Sequence, residues 1–263
     1  MGSDFGQNAY WAVILGGSSG LGLASALKLA RHGYNICIVH RNSKNEMRMI
    51  QKDFEEFNQY NIKFLSFNAD ASRPEKRSFI ISSLKEGIAG GKVRCLIHSV
   101  SKGNLKPMIG ENASLQNDDF FITLQHMAIN LYDWVKEMFH NDLFAPDGRV
   151  ISFTSEGNKK AIKNYAAVST AKAALEAITR NIALEFAPYG IRANCIQAGI
   201  TDTRSLRMIP GNEKMKVQAI NRNPFQKLTT PQDVANVVYL LCRDEASWIN
   251  GAVIPVDGGE SFC

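Results

Sequence analysis

A glycine-rich turn directly after the first predicted strand is the feature that most constrains the fold. The apolar segment Trp11–Leu15 runs into Gly16–Gly22 (GGSSGLG), and the residues that follow have helical periodicity. Glycines at such a turn let the backbone bend sharply and approach a ligand, and the N-terminus of the following helix attracts a phosphate group. The spacing of Gly16, Gly20 and Gly22 therefore predicts a turn that binds the pyrophosphate of a dinucleotide.

The same letters fit a second motif. Gly16-x-Ser18-x-Gly20 matches the nucleophile elbow of α/β-hydrolases, which also joins a strand to a helix. Such a hydrolase needs an oxyanion loop from an earlier strand, and an acid and then a histidine after the serine. Here the turn follows the first strand, and the last histidine of the chain is His140. The hydrolase interpretation is therefore disfavoured, and a purely structural turn remains the other alternative.

Short β-branched runs alternate with longer helical patterns along the chain. Several runs are apolar nearly throughout, as are parallel strands covered by helices on both faces. Between the first two runs, Leu21–His32 places apolar residues on one stripe, and Gly33 stands where a helix C-terminal glycine belongs. The alternation predicts an α/β fold, a Rossmann-type, doubly wound parallel sheet in three α/β/α layers, as one domain over residues 1–263. The seven predicted strands are Trp11–Leu15, Asn35–Val39, Ile62–Phe67, Arg94–Ile97, Arg149–Phe153, Arg192–Ile196 and Val253–Val256.

Composition excludes several other classes of protein. Hydrophobic residues make up 45% of the chain and charged residues 21%, which excludes intrinsic disorder, and the net charge of +5 is too diffuse to indicate nucleic-acid binding. No apolar run approaches the roughly 18 residues of a membrane span, and Met1–Asn8 lacks the basic start and apolar stretch of a secretory signal. The five scattered cysteines form no C-x-x-C pair, which disfavours a disulfide framework or a metal site and predicts a cytoplasmic location.

The end of the second strand indicates which dinucleotide is bound. An NAD-dependent enzyme usually has an acid there, about 20 residues after the glycines, whereas this chain has no Asp or Glu between Asp4 and Glu46. Arg41, followed by Asn42, can instead pair with the 2′-phosphate of NADP, so NADPH is the predicted cofactor. A solvated surface charge is the alternative for Arg41. Asp70, at the end of the third strand, is positioned to accept from an adenine amino group, or to cap its own loop.

Motifs in the rest of the chain resemble those of the short-chain dehydrogenase/reductase family. Asn130, Ser155, the segment Asn164–Lys172 (NYAAVSTAK), Arg192–Asn194 and the closing Val256–Gly259 follow the glycine turn in the order of that family. The resemblance implies that Tyr165 is the general acid and that Lys172 binds the nicotinamide ribose. It also implies that Ser155 and Asn130 support the substrate oxygen and a water relay. The cofactor contacts expected are Gly16, Ser18, Ser19, Gly20, Leu21, Gly22, Arg41, Asn42, Asp70, Ala71, Ser99, Val100, Lys172, Gly199, Thr201 and Thr203.

The spacing between Tyr165 and Lys172 departs from the commonest pattern of this family, in which three residues separate the tyrosine and the lysine. Here Ser169 fills that place and the lysine follows the tyrosine by seven positions. On a helix, residues four or seven positions apart lie on nearly the same face. The rise along the helix axis is about 6 Å for four positions and about 10.5 Å for seven. The wider gap suits an enoyl thioester, in which hydride reaches the β-carbon while negative charge collects on the more distant thioester oxygen.

This spacing resembles that of enoyl-[acyl-carrier-protein] reductases, the divergent branch of the family. His98-Ser99-Val100 and Ala198-Gly199 also resemble segments of that branch. Common bacterial members have a second tyrosine where this chain has Ser155, and Asn130 is typical of ketoreductases. The chain is therefore most similar to the NADPH-dependent type III enoyl reductases, which implies reduction in fatty-acid or related acyl-chain synthesis. A 3-oxoacyl or other carbonyl reductase remains the first alternative, and a dinucleotide-binding sensor without turnover the second.

The substrate side is expected to involve an insertion over residues 200–226, a lid or an ordinary surface excursion. Basic residues near the site would attract an acidic acyl carrier protein, or they are simply solvated charges. Met208 and Phe225 are expected in the core rather than in an acyl channel. The resemblance further implies a homo-oligomer, commonly a tetramer. The basic residues are Lys159, Lys160, Lys163, Arg204, Arg207, Lys214 and Lys216.

Overall fold

The computed structural model describes residues 10–111 and 113–263, so the prediction made for Met1–Asn8 lies outside the described residues. One sheet of seven strands runs in the order β3-β2-β1-β4-β5-β6-β7, and all six neighbouring pairs are parallel. The predicted seven-stranded parallel sheet is thereby confirmed. The strands are β1 (Tyr10–Leu15), β2 (Asn35–His40), β3 (Phe64–Asn68), β4 (Lys92–His98), β5 (Phe144–Thr154), β6 (Arg192–Ala198) and β7 (Val253–Val256).

Helices cover both faces of the sheet and bury two separate apolar clusters. The helices α3, α5 and α6 pack on one face, where Trp134 and Leu175 are fully buried. The helices α1, α2 and α9 pack on the other, where Leu29 and Val238 are fully buried. This arrangement confirms the three-layer, doubly wound fold. The helices are α1 (Gly20–Arg31), α2 (Lys44–Glu55), α3 (Pro74–Gly87), α4 (Asn117–Leu124), α5 (Asn130–His140), α6 (Ala166–Glu185), α7 (Arg204–Arg207), α8 (Asn212–Arg222) and α9 (Pro231–Leu241).

Six of the seven strands differ from the predicted bounds, by at most two residues at either end except at the start of β5. The strand β3 begins at Phe64 rather than Ile62, because a turn closed by a 2.9 Å hydrogen bond from Ile62 N–H to the Tyr60 carbonyl occupies the preceding residues. The strand β5 begins at Phe144, five residues before Arg149, because its irregular first part pairs with β4 through Val93. No helix in the described part of the chain is long and apolar enough to cross a membrane.

The strand order reverses between β1 and β4. From β1 the chain proceeds to β2 and β3 on one side, whereas β4 to β7 lie on the other. In an open parallel sheet, this reversal leaves a crevice at the carboxyl ends of the two central strands, where ligands bind. The glycine-rich turn after β1 and Ser99 after β4 therefore meet at that crevice, and Ser99 N–H donates to the Leu15 carbonyl at 2.8 Å.

Candidate active site

A cavity of about 630 Å³ opens at the carboxyl ends of the strands. It is bounded by the glycine-rich turn, by the loops after β2 to β6, and by α7 with the residues that follow it. Every predicted site residue except Gly22 lines this cavity. These residues are Gly16, Ser18, Ser19, Gly20, Leu21, Arg41, Asn42, Asp70, Ala71, Ser99, Val100, Asn130, Ser155, Tyr165, Lys172, Gly199, Thr201 and Thr203.

The glycine-rich turn has no room for side chains at its two ends. Gly16 has φ +82°, and a Cβ there would lie 2.5 Å from the Ser99 carbonyl oxygen. Gly22 lies behind the cavity wall, where a Cβ would lie 2.4 Å from the Gly16 carbonyl oxygen. The N-cap residue of α1, Ser19, makes no side-chain cap to the helix N–H groups. The uncapped helix start beside Gly20 thus suits a pyrophosphate, whose charge the helix N-terminus attracts.

Arg41 lies after β2 and pairs with Asp70, which follows the neighbouring strand β3. Its guanidinium Nη1 donates to Asp70 Oδ2 at 2.7 Å, while 60% of its side chain remains exposed. Ser72 donates its hydroxyl and its backbone N–H to the same carboxylate, at 2.6 and 3.1 Å. Burial raises the pKa of Asp70, but the Ser72 hydrogen bonds and the Arg41 charge outweigh it and leave the pKa below its usual value. Asp70 therefore caps its loop and holds Arg41 at the cavity rim.

A second cation near Arg41 was not predicted from the sequence. Lys102 Nζ lies 2.9 Å from His126 Nε2, and both side chains line the cavity. Burial and the neighbouring Arg41 charge lower the pKa of Lys102. Burial and the Lys102 ammonium lower the pKa of His126, so the imidazole is held neutral beside the lysine. The two residues lie 24 positions apart on a loop and a helix, and no motif signals their contact.

Tyr165 lies directly before the first residue of α6, and Lys172 lies within that helix. The expectation that both side chains project from one helix is therefore wrong for the tyrosine. Asn164, directly before Tyr165, has a φ of +65°, which is also outside the right-handed helical region. Burial raises the pKa of Tyr165, and proximity of the Ser155 hydroxyl offsets part of that rise. Ser155 Oγ is buried and forms no hydrogen bond of ordinary geometry with any described residue.

Lys172 is buried, and its ammonium is anchored to the sheet. Its Nζ donates to the Phe153 carbonyl oxygen of β5 at 2.6 Å. Burial lowers the pKa of Lys172 to about 8, against a smaller opposing effect of Cys195 and Glu176. Glu176, one turn along α6, accepts from the Thr154 hydroxyl at 2.7 Å and from the Asn158 side-chain amide. This buried glutamate was not predicted, although its i+4 spacing from the lysine places it on the same helix face.

His98 and Asn130 are both buried, and the Lys172 charge acts on the His98 imidazole. His98 is the last residue of β4. Burial and the Lys172 charge lower the pKa of its imidazole to about 3, so the ring is neutral. Within residues 10–111 and 113–263, neither His98 ring nitrogen nor either Asn130 amide atom has a hydrogen-bond partner. Asn130 follows a π-helical turn over Gln125–Ile129, a rare irregularity that often marks functional sites. Such buried polar atoms favour an internal water chain beside the lysine.

The segment 200–226 forms the outer wall of the cavity. Thr203 caps α7 by accepting from Leu206 N–H at 3.3 Å, and Ser205 Oγ lies 2.6 Å from Ser101 Oγ in the loop after β4. Met208 lines the cavity with 69% of its surface exposed, and Phe225 is 71% exposed. The expectation that these two residues pack in the core is therefore wrong, because the segment projects from the sheet and leaves them open to solvent.

Much of the positive charge near this segment is already paired. Arg204 donates to Glu46 at the start of α2, and Arg207 Nε donates to Asp202 at 2.9 Å. Lys216 pairs with Asp202 at 3.0 Å, and Lys160 with Glu156 at 2.7 Å. Lys159, Lys163 and Lys214 are exposed. The basic surface expected for an acidic partner is therefore smaller than the residue count suggested.

The arrangement can stabilise a negative oxygen next to a dinucleotide cleft. Tyr165 and Lys172 both line the cavity, and the lysine is buried. Burial raises the pKa of the Tyr165 hydroxyl, so this group stays protonated at neutral pH and is available as a hydrogen-bond donor to such an oxygen. The same cavity thus unites a phosphate-binding turn with a proton donor, as a nicotinamide-dependent reductase requires.

Comparisons with known proteins cover nearly the whole chain. A family model described as Enoyl-(Acyl carrier protein) reductase matches residues 16–261. The 1-cyclohexenylcarbonyl-CoA reductase of Streptomyces collinus is 27% identical over 253 residues, which are 95% of this chain and 86% of that protein. The levodione reductase of Leifsonia aquatica is 27% identical over 256 residues, 95% of this chain and 93% of that protein.

Solved structures have the same fold. Enoyl-[acyl-carrier-protein] reductase (NADH) from Aquifex aeolicus VF5 superposes with a TM-score of 0.85 at 24% identity, covering 97% of this chain and 98% of that one. A point variant of actinorhodin polyketide ketoreductase with NADPH superposes with a TM-score of 0.80 at 19% identity, covering 96% and 97%. The backbone of this chain is thus compatible with those of both an enoyl reductase and a ketoreductase.

Proposed function

Because the chain belongs to the short-chain dehydrogenase/reductase family, we propose that it is an NADPH-dependent oxidoreductase that reduces the carbon–carbon double bond of an enoyl thioester. The observation that carries the proposal is the separation of Tyr165 and Lys172, seven positions apart with the tyrosine before α6 and the lysine buried within it. This separation leaves room between the hydride-accepting carbon and the oxygen that becomes negative. The name of the Streptomyces collinus relative, a reductase of an unsaturated acyl-CoA, supports the same substrate class.

The glycine-rich turn and Arg41 support NADPH as the cofactor. A methyl group at Gly16 or Gly22 would meet the protein's own backbone, so these glycines let the turn pack against the loop after β4 and leave the start of α1 at the cavity, where a pyrophosphate can bind. Arg41 is exposed at the rim, where its guanidinium can exchange the Asp70 carboxylate for a 2′-phosphate. No described carboxylate follows β2 directly to hold free ribose hydroxyls. When bound, the cofactor supplies the hydride.

The side chains around Tyr165 have separate proposed roles in the reaction. The tyrosine hydroxyl donates a hydrogen bond to the thioester oxygen and stabilises it as it becomes negative. The Lys172 ammonium holds the tyrosine proton in a transferable state and binds the nicotinamide ribose. Ser155 orients the tyrosine hydroxyl, and Asn130 with the neutral His98 lines the route by which solvent protons return.

The acyl chain is accommodated by apolar side chains beyond Tyr165. They come from the loop after β4, from the π-helical turn before α5, from the turns before α6, from the first turn of α6 itself, and from the segment 200–226, which acts as a lid over the bound chain. Methionines in such a wall adapt to acyl groups of different shape. The apolar lining consists of Leu105, Met127, Ile162, Val168, Ile200, Leu206, Met208, Ile209 and Met215.

The alternative function is reduction of a 3-oxoacyl thioester or another carbonyl compound. It is favoured by Ser155 beside Tyr165 and by Asn130 at its π-helical turn, the set expected of a ketoreductase. A dinucleotide-binding sensor without turnover is a further alternative. The Tyr165–Lys172 pair argues against it, because a protein that only binds the dinucleotide needs no proton donor in the cavity.

One assay separates these functions. Oxidation of NADPH by the purified protein is followed through the loss of its reduced-nicotinamide absorbance, with crotonyl-CoA and acetoacetyl-CoA in parallel. Turnover of crotonyl-CoA alone supports the enoyl reductase, and turnover of acetoacetyl-CoA alone supports the ketoreductase. NADPH binding measured by calorimetry, without turnover of either thioester, supports the sensor.

The setting proposed for this activity is acyl-chain synthesis in the cytoplasm, as a homo-oligomer. The scattered cysteines suit a reducing compartment. The exposed apolar residues Phe121 on α4 and Leu184 on α6 suit contact with a second copy, and the expected tetramer is testable by light scattering. The exposed Lys159, Lys163 and Lys214 can steer an acidic acyl carrier protein toward the cavity.

A further inference from the structure

A single arginine joins the lid to two other parts of the chain. Arg222 is the last residue of α8, and its Nη2 donates to Glu156 Oε1 at 2.7 Å and to Glu260 Oε1 at 2.5 Å. Glu156 follows Ser155 directly and lines the cavity. Glu260 belongs to the C-terminal turn and is 2% exposed. One guanidinium nitrogen therefore spans the lid, the loop after β5 and the C-terminal turn.

Glu260 is fixed in place and extends this bridge to the first residues of the lid. Its Oε2 accepts from Ile200 N–H at 3.0 Å. A Cβ at Gly199 would lie 2.9 Å from the same oxygen, so the backbone and the carboxylate are in close contact. The first residue of the lid, Ile200, and the last residue of α8, Arg222, are thus attached to one buried carboxylate.

Glu156 is the less constrained arm of the bridge. Besides Arg222 it has an exposed partner, Lys160 Nζ, at 2.7 Å. Burial raises the pKa of Glu156, but hydrogen bonds from Lys160 and Arg222 outweigh it, so the pKa lies below its usual value and the carboxylate stays charged. A displacement of α8 would leave this partly buried carboxylate with only its exposed partner, which is costly.

We infer that Arg222 is a positioning residue that couples the lid to Ser155, so that closing of the lid on an acyl chain sets the loop that carries Ser155. The inference rests on the proposed function for its substrate, but the coupling itself is a property of the free protein. Arg222 forms an ion pair with Glu156, and Glu156 is the residue after Ser155 in the chain. Movement of α8 therefore reaches Ser155 through one ion pair and one peptide bond. Misplacement of a reacting group by about 1 Å can lower turnover about a hundredfold.

Hydrogen exchange measured by mass spectrometry tests the coupling without any substrate. Glu156→Gln removes one charge and keeps the Arg222–Glu260 pair, so the lid base stays attached to the C-terminal turn. We expect amide exchange in residues 212–222 to rise about tenfold in this variant, and exchange in residues 155–160 to rise similarly in Arg222→Gln. Lys160→Gln is the matched control, since it removes the other partner of Glu156 and should leave residues 212–222 unchanged.

Steady-state kinetics give the functional readout. With the thioester that the wild type reduces, Glu156→Gln and Arg222→Gln should each lower kcat about tenfold at unchanged NADPH affinity, and the double variant should be no worse than Arg222→Gln. Wild-type exchange of residues 212–222 in Glu156→Gln overturns the inference, and so do additive losses in the double variant. If Arg222→Gln does not fold, the exchange of residues 212–222 in Glu156→Gln decides whether the lid is coupled to the loop that carries Ser155. If the wild type reduces neither thioester, the proposed function fails, while the exchange data still decide the coupling.

Discussion

Lys172 Nζ donates a 2.6 Å hydrogen bond to the carbonyl oxygen of Phe153, two residues before Ser155 in the chain. The bond fixes the charged end of a long side chain against the backbone of β5. Its direction places the ammonium inside the protein rather than at the cavity mouth, and burial lowers the pKa of Lys172 to about 8. A change of charge on this lysine is therefore expected within the ordinary working range of pH.

The pH profile of turnover should report that change. Lys172 is charged below about pH 8 and neutral above it, and the proposed reaction uses the charged form to stabilise the negative oxygen and to hold the cofactor ribose. We expect kcat/KM, which reports the free enzyme, to fall as pH rises through about 8, approaching tenfold per pH unit. In Lys172→Arg, whose side chain stays charged, this limb should disappear from the profile even though the activity is lower. A limb that stays at the same pH in the variant would assign it to another group.

Replacement of Tyr165 separates proton transfer from cofactor binding. Tyr165→Phe removes the hydroxyl and keeps the ring that packs on Met127 and Val168. Turnover should fall at least about a hundredfold, while the NADPH dissociation constant measured by calorimetry should change less than about threefold. Tyr189→Phe, at an exposed tyrosine, is the control and should retain full activity. Near-normal turnover in Tyr165→Phe would remove the tyrosine from the reaction.

The sequence predicted the parts of the site that depend on local backbone geometry. Gly16 and Gly33 both have positive φ where the turn and the helix end were expected, because few residues other than glycine adopt that conformation. Contacts between distant segments were not predictable. The Lys102–His126 and Arg222–Glu260 pairs depend on how loops from different strands meet at the sheet edge. Likewise, the positive φ of Asn164 and the position of Tyr165 before α6 were not predicted, although asparagine adopts positive φ more often than most residues.

Cofactor choice can be tested at Arg41. Arg41→Glu places a negative charge where the 2′-phosphate is expected and also removes the partner of Asp70. The dissociation constant of NADPH should rise about a hundredfold, and that of NADH less than about fivefold. Arg48→Glu, the same charge change at an exposed position on α2, should shift both constants equally and only slightly. Equal losses for both cofactors in Arg41→Glu would mean that the phosphate is held elsewhere.

The glycine turn offers a test with a matched strain control. Gly16 and Gly90 have nearly equal φ values of +82° and +84°, but only Gly16 has backbone atoms where a Cβ would lie. Gly90→Ala should lower the free energy of unfolding by about 1 kcal/mol through backbone strain alone. Gly16→Ala adds the contact with the Ser99 carbonyl, and we expect it to lower stability by at least twice as much and to abolish NADPH binding. Equal stability losses in the two variants, measured by urea unfolding, would show that the turn can relax around the methyl group.

Removal of the buried charge should stabilise the protein. The pKa of Lys172 falls from 10.5 to about 8 on folding, so the unfolded chain binds more protons between these values, and stability rises with pH across that window. At pH 7 both states are protonated and the folded state carries the whole penalty, about 1.4 kcal/mol per pKa unit. Part of it is offset by the bond to Phe153, which methionine cannot make.

Lys172→Met should therefore raise the free energy of unfolding at pH 7 by about 2 kcal/mol, with turnover lost. The rise in stability between about pH 8 and pH 10 should vanish in this variant, as measured by urea unfolding at both values. Lys163→Met changes an exposed lysine near the same site. It should leave the free energy of unfolding at pH 7 and its rise between pH 8 and pH 10 as in the wild type. A destabilised Lys172→Met protein would mean that the hydrogen bond to Phe153 and the nearby Glu176 outweigh desolvation, and the lysine would then be a structural residue as well as a functional one.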